Sequence, residues 1–351
     1  MPVSRSARTS HVLGLVPVVA LTALASVLPA QQPPPAAPAS PGRVVRMEPA
    51  LDAIVAPDAT IEKMTGGLTF TEGPVWMKDG SLVFTEFREH KLMRLAPGQP
   101  ATATRLPGDA AGYEATGFKA FGGANGLTLD KQGRLILCET GNRAVTRLEP
   151  NGTMTLLADK WEGKRFIEPN DVVVKSDGSI YITDPLVRPN DPRRETPHGG
   201  GVYRIRDGKV DLITSEVPTP NGLAFSPDEK YLYVDNLDLA TTNAKRYVKR
   251  FEVKKDGTVG PGMMFLDFTG ATGAGQPDGM KVDKKGNVYV TGPGGVWIIT
   301  PAGKVLGKIE APEVIYNLGW GDDGKSLYLT AGKSVYRVRM KASGKRPCCD
   351  K

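Results

Sequence analysis

Short runs of β-branched, aliphatic and aromatic residues alternate with polar, glycine-containing turns along most of the chain. Residues 169–185, PNDVVVKSDGSIYITDP, show the unit plainly. Residues 171–174 and 179–183 read as two antiparallel strands, joined by the tight turn Lys175-Ser176-Asp177-Gly178. Asn170 stands at the mouth of the first strand. No helical periodicity of useful length appears after the first thirty residues.

The unit recurs. EGPVWMKDGSLVFTE (72–86), NGLTLDKQGRLILCE (125–139), NDVVVKSDGSIYITD (170–184), NGLAFSPDEKYLYVD (221–235), DGMKVDKKGNVYVTG (278–292) and NLGWGDDGKSLYLTA (317–331) share one layout. Their first residues are separated by 53, 45, 51, 57 and 39 positions, and most repeats continue into two more strand-like runs. Four short strands repeated at this spacing predict an all-β, six-bladed β-propeller with four antiparallel strands per blade. The sixth repeat offers only three strands, so residues 60–64 are expected to supply the fourth. An N-terminal strand would then close the ring and cover a sheet edge.

Connection lengths distinguish the two faces. The long links, 107–124, 185–200, 237–246 and 269–277, all fall where the first strand of a blade begins or the second ends. They therefore share one face, and long loops on a rigid scaffold carry function. At that face the repeats open with Glu72, Asn125, Asn170, Asn221, Asp278 and Asn317, all bearing oxygen and none a His or Cys. Such a set suits one hard divalent cation, Ca²⁺ first, then Mg²⁺ or Mn²⁺, with Zn²⁺ less favoured by ligand type. The competing reading is that Asn-Gly and Asp-Gly serve only as turn and backbone-satisfying residues.

Composition narrows the context. The chain has 351 residues and a formal charge of +7, without Lys/Arg runs, which gives no support to nucleic-acid binding. Residues 1–30 read as a signal peptide: Arg5 and Arg8 precede an apolar stretch too short for a membrane span, and Leu28-Pro29-Ala30 offers a cleavage site. Residues 31–50 read as a Pro/Ala-rich linker, 51–341 as the propeller and 342–351 as a disordered tail. The expectation is an exported protein, periplasmic or extracellular, with no membrane span after cleavage, acting as a monomer. Three cysteines do not make a disulfide framework; Cys138 is expected as a buried thiol, and Cys348 and Cys349 lie in the tail.

The motifs Glu72-Gly73-Pro74-Val75-Trp76, Pro169-Asn170-Asp171, Pro220-Asn221-Gly222-Leu223 and Pro277-Asp278-Gly279-Met280 resemble the senescence marker protein/gluconolactonase family, which includes regucalcin. Diisopropyl fluorophosphatase and paraoxonase are more distant relatives. The resemblance runs over roughly residues 65–340, in the right order. It implies a six-bladed propeller with a divalent ion held by Glu72, Asn170, Asn221 and Asp278, and Asp278 doubling as the acid/base residue. It further implies hydrolysis of a lactone, with water attacking a carbonyl polarised by the ion and Asp278 or Asp171 taking its proton. Asp171 can instead only orient the ligand set.

The chain departs from regucalcin-like members at Glu168, where they carry a substrate-binding Arg, and at Arg188 in the following loop. Asn125 is a candidate for substrate contact, as are Arg188 and His198 of a cationic rim that includes Arg193 and Arg194. A solvated rim is the plainer reading of those arginines. The expected partner is a small lactone or ester. Two alternatives remain at this stage: a calcium-stabilised propeller that binds a sugar or protein without catalysis, and phosphotriesterase or arylesterase chemistry on the same site.

Overall fold

The computed structural model describes residues 41–105, 123–239 and 243–347. The leader-like segment, residues 31–40 of the linker, most of the connection 107–124, and Cys348 and Cys349 lie outside the described residues. Among the described residues, six antiparallel sheets follow one another along the chain as the six blades of a β-propeller, four strands to a blade with a fifth added to one of them. A separate two-stranded ribbon, Lys160–Trp161 with Lys164–Arg165, falls between the second and third. Their innermost strands are Thr71–Trp76, Ala124–Leu129, Val172–Val174, Pro220–Phe225, Met280–Val282 and Ile315–Gly321.

Each blade is built by local hairpins. In five of the six first turns a glycine takes the left-handed conformation: Gly80, Gly133, Gly178, Gly286 and Gly324, with φ between 82° and 96°. Blade 4 places Glu229 there instead, at φ 57°. Its carboxylate accepts from the Ser176 backbone N–H at 2.6 Å and pairs with Lys175 Nζ at 3.1 Å, tying the turn of blade 4 to that of blade 3.

The ring closes as expected. Ile61–Thr65 pairs with Ser334–Arg339, aligning Ile61 with Val338, and so completes blade 6. The core is divided among the blade junctions. Val75, Val83, Leu127 and Leu137 fill the junction of blades 1 and 2. Trp76, Phe84, Tyr328 and Val335 fill that of blades 6 and 1. Corresponding clusters occupy the other four junctions. Each blade thus buries both faces, which is why its strands read as nearly continuous apolar runs. Cys138 is a fully buried free thiol, as expected.

Two segments differ from the sequence reading. The stretch assigned to the linker up to residue 50 contains a strand, Arg43–Arg46, which adds to the outer edge of blade 5 with Val44 opposite Ile309. Leu51, Ile54 and Val55 then enter the core between blades 5 and 6. The tail assigned as disordered is ordered as far as residue 347. The Gly344 N–H bonds the Gly324 carbonyl at 2.9 Å, and Arg346 reaches the Asp322 carbonyl. In both places backbone pairing to a sheet edge or turn outweighs a polar, proline-rich composition.

Candidate functional site

The six opening residues sit at the start of the innermost strands, and the backbone there is irregular. The register shifts between Glu72 and Val75, Ala124 and Leu127, Pro220 and Leu223, and Ile315 and Asn317. A bulge at each of these places turns a side chain that the pleat would otherwise aim into a blade junction. The residue after the opening position is glycine in blades 1, 2, 4 and 5. A Cβ at Gly126 would come within 2.6 Å of the Asn170 carbonyl and 2.5 Å of Asp171 Oδ1. Neighbouring first strands therefore approach closely enough to bring the opening residues together.

Glu72, Asn125, Asn221, Asp278 and Asn317 are all buried, Asp171 is 1% exposed, and Asn170 is half-buried. Glu72 Oε2 accepts from Asn317 Nδ2 at 3.1 Å and from the Gly73 N–H at 3.0 Å. Asp171 Oδ1 accepts from the Val172 N–H at 2.9 Å. The next strand supports the ring from behind: Thr85 Oγ1 donates to the Asn125 carbonyl at 3.1 Å, and Thr183 Oγ1 to that of Asn221 at 2.5 Å.

Two participants escaped the sequence reading. Asp235 is fully buried on the second strand of blade 4. The pairing register gives the corresponding positions of the other blades as Thr85, Cys138, Thr183, Thr291 and Thr330, so a carboxylate standing among hydroxyls and a thiol was the available signal. Lys281 extends its ammonium to 3.9 Å from Asp171 Oδ2. Its signal was a Lys between two apolar residues of an innermost strand.

Burial and crowding raise the proton affinity of these carboxylates in the absence of a cation. Burial raises Glu72 to about 7, against the Gly73 N–H and the Asn317 amide, while the charge of Asp171 raises it further. Burial, then the charges of Glu72, Asp235 and Asp171, hold Asp278 well above the usual carboxylate range. Asp171 and Asp235 are raised by burial as well, with Lys281 opposing in both. Several oxygens here are buried without a hydrogen-bond partner: Asn125 Oδ1, Asn221 Oδ1, Asp171 Oδ2 and both oxygens of Asp235.

Orphaned, desolvated oxygens are what a cation would satisfy. No three His, Cys, Asp or Glu side chains among the described residues come close enough to hold a metal by themselves. The asparagines are thus a necessary part of any ligand set, and the buried Glu72, Asn221 and Asp278 with the half-buried Asn170 fit one by the chemistry of their oxygens.

The supposed cationic rim is internally paired. Glu168 Oε1 accepts from Arg188 Nη2 at 2.7 Å and from Arg193 Nη2, and Asp191 Oδ2 lies 2.6 Å from Arg193 Nη2. Arg194 donates to the carbonyls of Thr196 and Pro197. His198 Nε2 shares a hydrogen bond of 2.8 Å with Tyr203 and lies edge-on to Trp161. The His198 ring thereby packs against Tyr203 of the third strand of blade 3. Glu168 and Arg188, the two departures noted in the sequence, are partners.

A family model described as the SMP-30/Gluconolactonase/LRE-like region matches residues 70–333. The chain is 31% identical over 347 residues to a gluconolactonase of Zymomonas mobilis, covering 94% of this chain and 96% of that one. It is 27% identical over 270 residues to a 6-deoxy-6-sulfogluconolactonase of Pseudomonas putida, covering 75% and 83%. Among solved structures, a gluconolactonase of Xanthomonas campestris superposes with a TM-score of 0.72 at 30% identity, over 87% of this chain and 98% of that one. A regucalcin of Agrobacterium tumefaciens, at 19% identity and a TM-score of 0.63 over 82% and 96%, shares the fold.

Proposed function

The chain belongs to the SMP-30/gluconolactonase/LRE-like family and is a lactone-hydrolysing enzyme; we propose that it opens sugar lactones, with a divalent cation, calcium first, held by Glu72, Asn170, Asn221 and Asp278. The observation that carries this reading is the set of buried, unpartnered oxygens around Asp278, one of which belongs to Asn221. A bound cation would supply a Lewis acid for the lactone carbonyl and a positive charge among the carboxylates.

The chain's own residues account for the proton movements. Asp278 takes a proton from the attacking water as its oxygen bonds to the carbonyl carbon. The ring carbon–oxygen bond then breaks, and the same proton passes to the departing ring oxygen, leaving a hydroxy acid. Asp171 keeps its Oδ1 on the Val172 N–H and its Oδ2 toward Lys281, so it orients the site while Asp278 moves the proton. We assign the Asn125 amide, whose buried Oδ1 is unpartnered, to orienting water or substrate. We further propose export through the leader-like residues 1–30.

The test is turnover of aldonolactones, aryl esters and organophosphates by purified protein, with and without a chelator. Aldonolactone hydrolysis that disappears with chelator and returns with calcium is expected. Ester or phosphotriester turnover without lactonase activity would overturn the substrate assignment, and undiminished lactonase activity in chelator would overturn the cation.

A further inference from the structure

Beside the acidic ring, where blades 6 and 1 meet, stands an aromatic wall that no step above uses. Phe70 lies two residues before Glu72, and Tyr316 one residue before Asn317. Their ring centroids are 4.3 Å apart with the planes inclined at 38°. Phe87, buried behind them, meets Phe70 at 5.8 Å. Phe70 and Tyr316 stay half-exposed and outside the apolar cluster that joins blades 6 and 1. The junction has its own core without them, so packing does not account for the pair. The Tyr316 carbonyl accepts from the N–H of Gly279, the residue after Asp278, at 2.8 Å, so the wall stands beside the candidate acid/base residue.

Arg88 completes the arrangement. It is exposed, and its guanidinium carbon lies 5.2 Å from the centre of the Phe70 ring. Among the described residues no hydrogen bond or ion pair engages its N–H groups. This sets it apart from Arg188 and Arg193, which are held by Glu168 and Asp191. An aromatic face next to unengaged donors matches a molecule with a C–H face and oxygen acceptors at its edge.

We propose that Phe70, Tyr316 and Arg88 form a substrate subsite for a hydroxylated lactone. The two rings take the C–H face of the lactone, and the Arg88 guanidinium donates to hydroxyl oxygens of its exocyclic substituent. The proposal rests on the lactonase reading. It assigns to that site a preference for polyhydroxylated over bare lactones.

Calorimetric titration with gluconolactam, a ring amide in place of the ester, reads binding apart from turnover. Phe70→Ala and Tyr316→Ala are expected to weaken binding by about five- to tenfold, the scale of one aromatic contact. Tyr316→Phe, which keeps the ring, is expected to bind as the wild type does. Arg88→Ala, an exposed substitution that leaves the packing intact, is expected to weaken gluconolactam while leaving δ-valerolactam, which lacks hydroxyls, unaffected. In turnover the Arg88 variant should raise KM for gluconolactone with kcat unchanged. Equal affinity in all the variants, or no lactam binding by the wild type, would overturn the subsite. Wild-type binding without any lactone turnover would sink the lactonase reading and leave the subsite standing.

Discussion

The Lys281 ammonium lies 3.9 Å from Asp171 Oδ2, and its charge also reaches Glu72 and Asp235. Three buried carboxylates thus share one positive charge, and Lys281 lowers the proton affinity of each. Replacing it with Met should raise all three further in the metal-free protein. Calcium binding near neutral pH would then displace more protons. Calorimetry in two buffers of different ionisation enthalpy counts them. A rise in protons released per ion in Lys281→Met is expected, and an unchanged count would show that the ammonium does not govern the ring.

Asp278→Asn keeps an oxygen donor for a cation and removes the group that accepts a proton. Turnover should fall by about 10²- to 10⁴-fold, the usual contribution of a positioned acid or base, while the melting temperature and calcium binding persist. Asp171→Asn should retain more activity, because Asp171 is assigned to orientation. The opposite ranking would exchange the two roles.

Asp184 offers a pH test outside the proposed ligand set. Its Oδ1 accepts from the Ile167 N–H at 2.9 Å and the Glu168 N–H at 2.6 Å. Burial nevertheless raises it from 3.8 to about 7, with the charge of Glu168 adding to the effect. The folded state therefore binds this proton more tightly than the unfolded chain. The associated stability is present below about pH 4 and is lost as pH rises through 7. Asp184→Asn keeps an acceptor for both N–H groups and cannot titrate. Urea denaturation across pH 4 to 8, with the pH span set by that shift, should show a flatter profile in the variant. Identical slopes would place the buried proton elsewhere.

The architecture was legible because its determinants are local. Six hairpins, five of them with a turn glycine, and a spare strand ahead of Glu72 were enough to give the blades and their closure. The ring was legible for the same reason, since each member opens a repeat. Asp235 and Lys281 were not, because they lie inside strand patterns rich in apolar residues, and only the pairing register of Asp235 and the approach of Lys281 to Asp171 bring them to the ring. For the loop 185–200 the sequence offered a cationic rim or, more plainly, a solvated one, and showed the arginines but not their partners. Glu168 is twenty residues from Arg188 along the chain, and only the fold brings them together. The strand Arg43–Arg46 was hidden by the proline-rich stretch before it and by a partner more than two hundred residues away.

The pairing around Glu168 yields a last prediction. Arg193 serves two buried carboxylates at once, for Glu168 and Asp191 are 5% and 1% exposed in their side chains and Arg193 itself only 12%. Arg188 meets the same two carboxylates but is 44% exposed. Removing a buried partner leaves carboxylates desolvated and unpaired, whereas losing an exposed one leaves water to take its place. Arg193→Leu should therefore cost about 3–5 kcal/mol, and Arg188→Ala about 1 kcal/mol or less, in urea denaturation. The effect should also reach the active site, because Glu168 precedes Asn170 by two residues on the same strand entry. Calcium affinity is expected to fall in Arg193→Leu and hold in Arg188→Ala. Small, equal losses in both variants would mean that the pairs are only surface contacts and do not hold Asn170 in place.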